Sequence, residues 1–374
     1  MGIRQLGRIG ALPTAAWDAL FPQEYPFTRH AFLSALEDHG CVGPGTGWEP
    51  CHLLVEDSAG NLQAACPLYY KLHSYGEFVF DFAWAQASQR LGRAYYPKLV
   101  CAVPFTPSTG PRLGYRSAPA REALVRALSA LAPAAGLSSC HVLFADDPAQ
   151  ACLAGPDWLQ RQDVQYHWHN RGYADFAQFA AQLRADKRKK VLRERRRLIE
   201  AGLHYELRAG HELDTALWQR VYQLYANTYE ERGQPPYLTL DFFLDYGRRA
   251  DTPLRLILGW QAGELAAMAL TLVGGDTLYG RHWGAAAPLH SAHFETCYYQ
   301  GIEYCIRAGL SRYDAGTQGE HKLARGFEPV LTHSRHQLCD PRLAPAVADF
   351  LQRERQAIAA YRAQLGHHTA YRTA

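Results

Sequence analysis

The sequence predicts an α/β (α+β) protein of two tandem domains, each with a mixed, largely antiparallel sheet flanked by helices. Three observations predict it. The 374 residues exceed what one hydrophobic core usually serves. A weak internal repeat recurs about 200 residues apart. Within each copy, strand-like and helix-like segments follow in the same order.

In the first half, residues 52–80 read as a strand, a turn at Ala59-Gly60-Asn61 and a second strand running into Tyr75-Gly76. Residues 255–283 give the same order, with a turn at Ala262-Gly263-Glu264 and then Tyr279-Gly280. Glycine at each turn supplies the positive φ that a tight antiparallel connection needs. After the first meander come an irregular Pro/Gly-rich stretch (104–119), a helix-like segment from Arg121 to Gly136 and a strand-like run from Cys140. After the second come the loop 284–290, a helix over 293–310 and a strand-like run from Ser311.

Between the halves, residues 175–202 read as one long helix with Gly202 as its C-terminal cap. Phe176, Phe179, Leu183, Val191, Leu192, Leu198 and Ile199 form its apolar stripe. Further helices are predicted at 214–231, 239–249 and 342–364, and strands at 203–208 and 329–338. The domain division follows: residues 1–165, then residues 166–374 with a basic helix over 183–200 and the candidate site.

A 48% hydrophobic and 20% charged composition is that of a globular chain, and excludes disordered and fibrous classes. The net charge of +3 is too small to attract nucleic acid through the whole-molecule field, so any such attraction must be local. The nine cysteines are scattered and form no CxxC pair, the usage of a reducing compartment. No stretch is apolar enough for a signal peptide or membrane span, and the expected location is cytoplasmic. His167-Trp168-His169 and His367-His368 have no cysteine or carboxylate at ligand spacing, so they read as structural and no metal is predicted.

Local charge is concentrated in residues 187–197, with eight cations against the single carboxylate Glu194. Such a run is either a solvated face or a grip on phosphates, and Arg188, Lys189 and Arg193 are the candidate contacts. The ligands considered are the diphosphate of coenzyme A, a nucleotide- or lipid-linked acceptor, and a tRNA backbone. No helix-turn-helix or zinc framework accompanies the run, which argues against a sequence-specific DNA reader. The loop 284–290, with Ser291 as N-cap of the next helix, is small enough to bring backbone amides close to an anion.

Polar groups crowd two places in the second half. One holds Tyr279, Arg281, His282, His293, Glu295, Tyr298 and Tyr299; the other holds Asp314, Gln318, Glu320, His321, Lys322 and Arg325. Acylation of an amine needs a base for the ammonium proton, donors for the oxyanion and an acid for the leaving group. Glu295 or Glu320 is the candidate base, Tyr298 the proton donor, and His282 a further candidate catalytic group. Arg281, His293, His321, Lys322 and Arg325 are candidates for binding donor or acceptor. The first half offers no comparable set, and no Ser or Cys nucleophile with an adjacent base stands out.

These segments resemble the FemAB-like family of N-acyltransferases, named for peptidoglycan biosynthesis/recognition. The resemblance rests on Val42 to Trp48, Tyr96-Pro97-Lys98-Leu99, Pro104-Phe105-Thr106-Pro107, His167 to Asn170, Leu278 to Arg281, His293-Phe294-Glu295, Cys297 to Tyr304, and Gln318 to Phe327. It runs from about residue 26 to about residue 356. It implies two tandem GNAT-like (acyl-CoA N-acyltransferase) domains, with a donor cleft splayed open between two central strands. The implied function is transfer of an acyl or aminoacyl group from a thioester or tRNA ester to an amine, with a cell-envelope precursor as one acceptor class. Acyl-CoA or aminoacyl-tRNA would be the donor co-substrate, with no tightly bound cofactor. The alternative function is a non-catalytic module that recognises a phosphorylated envelope precursor or RNA.

Overall fold

A computed structural model describes residues 1–287, 291–317, 319–366 and 368–372. The chain divides into two compact units, Met1–Val164 with Leu331–Tyr361, and Gln165–Val330 with Arg362–Ala374. Residues 331–361 thus belong to the first unit, although the sequence reading placed them in the second. Strand pairing and burial explain this. Arg335–Leu338 pair antiparallel with Ser139–Val142, and Leu343, Val347 and Leu351 pack against Trp84 and Tyr95.

The strands of the first unit, in chain order, are β1 (Gly2–Leu6), β2 (Trp48–Pro50), β3 (His52–Glu56), β4 (Leu62–Cys66), β5 (Leu68–Lys71), β6 (Lys98–Cys101), β7 (Gly114–Tyr115) and β8 (Ser139–Val142). One sheet has the order β1-β3-β4-β7, and β2, β5, β6 and β8 form a second run of neighbours. The helix Ala118–Ala134 begins at Ser117, whose hydroxyl accepts from the Ala120 amide. Its buried stripe of Ala120, Leu124, Leu128 and Ala132 closes the core over Leu53, Val55, Leu99 and Cys140.

The chain enters the second unit within β9 (Leu159–His169). It then forms β10 (Leu203–Ala209), β11 (Leu254–Gln261), β12 (Glu264–Gly274), β13 (Thr277–Ala285) and β14 (Arg312–Asp314), and leaves within β15 (Glu328–Leu338). The order is β10-β11-β12-β13-β14-β9, antiparallel except where β13 runs parallel to β14. Leu265 to Leu272 of β12 are all buried, as a central strand covered on both faces requires. The helix Thr215–Glu230, capped by Asp214, packs on β12 and β13.

The repeat is visible in the connections. Gly60 and Gly263 both adopt φ 81° at the turn between the first two meander strands. In both units a later strand continues through a helix into a parallel neighbour, β6 into β8 and β13 into β14. The Tyr-Gly pairs do not correspond, however. Tyr279-Gly280 lies in β13, whereas Tyr75-Gly76 lies in a turn beyond β5, and the helix Phe82–Arg90 intervenes before β6.

The expected long helix over 175–202 is two helices, Phe176–Gln182 and Ala185–Glu200. Leu183 and Arg184 are extended because the carboxyl-terminal segment takes their backbone groups. Leu183 bridges to Tyr371, the Arg184 amide donates to the Ala370 carbonyl at 2.8 Å, and the Arg372 amide donates to Gln182 at 3.0 Å. Gly202 follows the second helix at φ 79°, as the sequence predicts. No helix among the described residues is long and apolar enough to cross a membrane.

Candidate active site

Strand β13 has nine residues, yet only Thr277–Tyr279 pair with β14. One step further, Gly280 pairs with Thr271 and His282 with Leu270, which leaves Arg281 as the extra residue of a β-bulge. A bulge bends its strand and re-aims the side chains beyond it. Side chains from three segments meet at this end of β13. The His293 ring lies 4.8 Å from Trp283, 5.2 Å from Tyr298 and 6.0 Å from His321.

The polar centre of the group is a 2.8 Å hydrogen bond between the Tyr298 hydroxyl and His321 Nε2. Tyr298 is buried, and desolvation pushes its phenol up, so it keeps its proton. The exposed His321 has its pKa lowered by desolvation and by Arg325 and Lys322. His293 is pushed down to about 4, first by desolvation and then by His321, Lys322 and Arg325. At neutral pH both rings are therefore neutral. Gly319, at φ 101°, makes the approach to His321 feasible: a Cβ there would lie 2.0 Å from the imidazole.

The turn carrying His321 is held from behind by groups expected to bind anions, and the structure corrects that expectation. The buried Lys322 ammonium donates to the carbonyls of Ala315, Gly316 and Thr317 at 3.1, 2.7 and 3.2 Å, which uses its three donors. Desolvation lowers its pKa to about 8. Arg325, 1% exposed, donates to both oxygens of Glu194 at 2.8 and 3.0 Å and to the His321 carbonyl at 2.7 Å. Its guanidinium also lies 3.4 Å from the Phe294 ring centroid. Glu194 further accepts from the Tyr299 hydroxyl. Lys322 and Arg325 are thus clamps that fix the turn.

Residues 8–373 match the family described as FemAB-like, peptidoglycan biosynthesis/recognition. The chain belongs to the FemAB-like family. It is accordingly a transferase. No curated protein sequence matches it. Among solved structures it is similar to FemX, with a TM-score of 0.52 and 11% identity over 93% of this chain and 100% of that one. It is also similar to L-PGS from Bacillus licheniformis, with a TM-score of 0.52 and 10% identity over 86% and 95% of the two chains. At such identities the likeness concerns the fold alone.

Within this FemAB-like chain the other expected site residues lie elsewhere. Glu295, 3% exposed, turns to the basic helix: its Oε1 accepts from Arg195 Nε at 3.1 Å and from Gln300 Nε2 at 2.7 Å. Burial raises its pKa, and Arg195 opposes the rise. Glu320 is exposed. His282 packs 4.9 Å from Tyr225 of the helix Thr215–Glu230, whereas its neighbour Trp283 meets His293. Successive strand residues face opposite sides of a sheet, so His282 is turned away from the Tyr298–His321 pair. Ser291 adopts φ 69° and its side chain does not cap the following helix. Pro288 to His290, Gln318 and His367 lie outside the described residues.

In the basic helix Ala185–Glu200, Lys189, Lys190 and Arg193 are exposed and Arg188 is half-buried. Arg195 joins Glu295 and Glu303. The first unit also holds a polar cluster that the sequence reading missed. Lys98, fully buried, lies 2.8 Å from Glu77 and 2.5 Å from Asp81, and Asp81 accepts from the Tyr95 hydroxyl at 2.7 Å. The neighbouring His141 and His336 share a 2.7 Å hydrogen bond between their Nδ1 atoms. The sequence signal was the alternation of Glu77, Asp81 and Lys98 with aromatic residues, which places charge where burial is expected.

Proposed function

We propose that the protein transfers an acyl or aminoacyl group from a thioester or tRNA ester to an amine acceptor, at the end of β13 in the second unit. The hydrogen-bonded pair Tyr298–His321, where β13 leaves β14, carries this reading. The amine nitrogen attacks the carbonyl carbon, and neutral His321 takes the proton that the nitrogen sheds. The C–S or C–O bond then breaks, and Tyr298 protonates the departing sulfur or oxygen. Imidazolium His321 returns a proton to the phenolate, which completes the balance without a covalent enzyme intermediate.

The exposed cations Lys189 and Arg193, with Arg188, make no ion pair among the described residues. They suit the phosphates of coenzyme A, of a lipid- or nucleotide-linked precursor, or of tRNA. The family description, peptidoglycan biosynthesis/recognition, supports a cell-envelope precursor as acceptor.

The test supplies labelled acyl-CoA species and charged tRNA to the purified protein with amine-bearing envelope precursors. Wild type is expected to form the amide, and Tyr298→Phe to be slower by about 10²-fold or more. Absence of transfer from both donor classes, or full activity in both Tyr298→Phe and His321→Ala, contradicts the proposal.

A further inference from the structure

The segment between β5 and β6 of the first unit turns its polar residues inward and its rings outward. Lys98, fully buried, donates from Nζ to Ser74 at 2.9 Å, to Glu77 at 2.8 Å and to Asp81 at 2.5 Å, three points of one loop. Lys71 and Trp48 donate to the Tyr75 carbonyl at 3.3 and 3.2 Å, and Arg161 to the Phe80 carbonyl at 2.8 Å. Phe78 sits at φ 59°, a strained conformation for a bulky residue that only fixed surroundings maintain.

The rings set between these anchors face water. Phe80 is 59% exposed, Tyr75 54% and Phe82 38%. The Phe82 ring lies 5.7 Å from Tyr75 and 6.2 Å from Phe80, so the three form one cluster. A large apolar ring left in water forgoes its burial, and a cluster held rigidly in that position marks a contact surface.

The charges beside the rings favour one occupant. Across residues 72–97 the carboxylates Glu77 and Asp81 are buried, and the exposed charges are Arg90 and Arg93. Arg90 ends the helix that Phe82 begins, about 12 Å along its axis. Asp340 lies 3.7 Å from Arg93 and 3.2 Å from Arg342, and both arginines are more than half exposed, so the rim stays cationic. Aromatic rings edged by arginines suit the headgroup layer of an anionic bilayer. A two-fold pairing of copies would instead set this rim against one of the same sign.

We propose that this loop seats the first unit on an anionic lipid surface, with Tyr75, Phe80 and Phe82 in the headgroup layer and Arg90, Arg93 and Arg342 towards the lipid phosphates. The proposal does not rest on the transfer reading, because vesicle binding is measured without donor or acceptor.

The experiment is co-sedimentation of the full chain with vesicles of phosphatidylcholine alone and of equimolar phosphatidylcholine and phosphatidylglycerol. Wild type should bind the mixed vesicles at least about tenfold more tightly, the effect of two net cations at an anionic surface. Phe80→Ser/Phe82→Ser should weaken that binding by at least about tenfold with an unchanged melting temperature, since both rings are already exposed. Arg90→Gln/Arg93→Gln should lower binding to the mixed vesicles alone, and it decides the matter if the serine variant does not fold. Absence of vesicle binding, equal binding to both compositions, or undiminished binding by either folded variant overturns the proposal. So does a dimer dispersed by the serine variant in a chain that ignores vesicles, which would make the patch a contact between copies.

Discussion

Replacing Glu194 with leucine should unfold the second unit far more readily than its place in a basic, solvent-facing run suggests. Glu194 is 5% exposed and accepts two hydrogen bonds from Arg325 Nη2 and one from the Tyr299 hydroxyl. Leucine fills most of the space but leaves the Arg325 guanidinium buried without its counter-charge. Breaking a buried pair from one side costs about 3–5 kcal/mol. For a unit of this size each kcal/mol lowers the melting temperature by about 2–4 °C, so the expected drop is roughly 6–20 °C. The double variant Glu194→Leu/Arg325→Met removes both charges and should recover most of that loss. It should not recover transfer, because Arg325 also holds the His321 carbonyl. Differential scanning calorimetry on the two single variants and the double variant reads the melting temperatures, and the transfer assay reads the activity. A Glu194→Leu shift under about 2 °C, or a double variant as unstable as the sum of the singles, would mean that the Glu194–Arg325 pair is not energetically coupled.

Three further outcomes are expected. Changing Arg188, Lys189 and Arg193 together to alanine should leave the melting temperature nearly unchanged and lower the slope of log affinity against log salt for a phosphate-bearing donor by about 2–3; calorimetry and binding titrations across salt check both. His293 is pushed down to about 4 in the fold, below the ordinary value of 6.5. Between those values the unfolded chain binds more protons, so the His293 contribution is complete above pH 6.5 and is lost as pH falls towards 4. His293→Phe should therefore lose less melting temperature than wild type between pH 7 and pH 4.5, a comparison made around a ring that faces His321, Lys322 and Arg325. Gly319→Ala should cut transfer while the fold persists, because the added methyl displaces the His321 imidazole; activity measured beside circular dichroism separates the two effects.

The first hairpin of the second half was legible because Gly263 marks the turn between two apolar runs. The meeting of β13, the start of the following helix and the turn after β14 was also legible, since the element order brings those segments together. The roles of Lys322 and Arg325 were not. A cation in a polar cluster reads as anion-binding until its partners are known, and here the partners are backbone carbonyls and a carboxylate 131 positions away. Glu194 could have been read better, because it follows Val191 by three positions and precedes Leu198 by four, on the buried stripe of its helix. The break at Leu183 was illegible from local pattern, because it depends on pairing with Tyr371 at the other end of the chain. Glu295 and Tyr298 share a helical turn, but the local five-residue hydrogen-bonded turn over Glu295–Tyr299 shifts the angle between their side chains, so the ordinary spacing did not show that they part.

The account turns on the second unit holding the acyl donor at the end of β13. Photo-cross-linking with a donor analogue whose reactive group replaces the acyl carbon, followed by peptide mapping, tests this directly. The account predicts label in residues 279–299 and 315–326, abolished by excess unmodified donor. Competable label confined to the first unit, around Lys98 and His141, would contradict it.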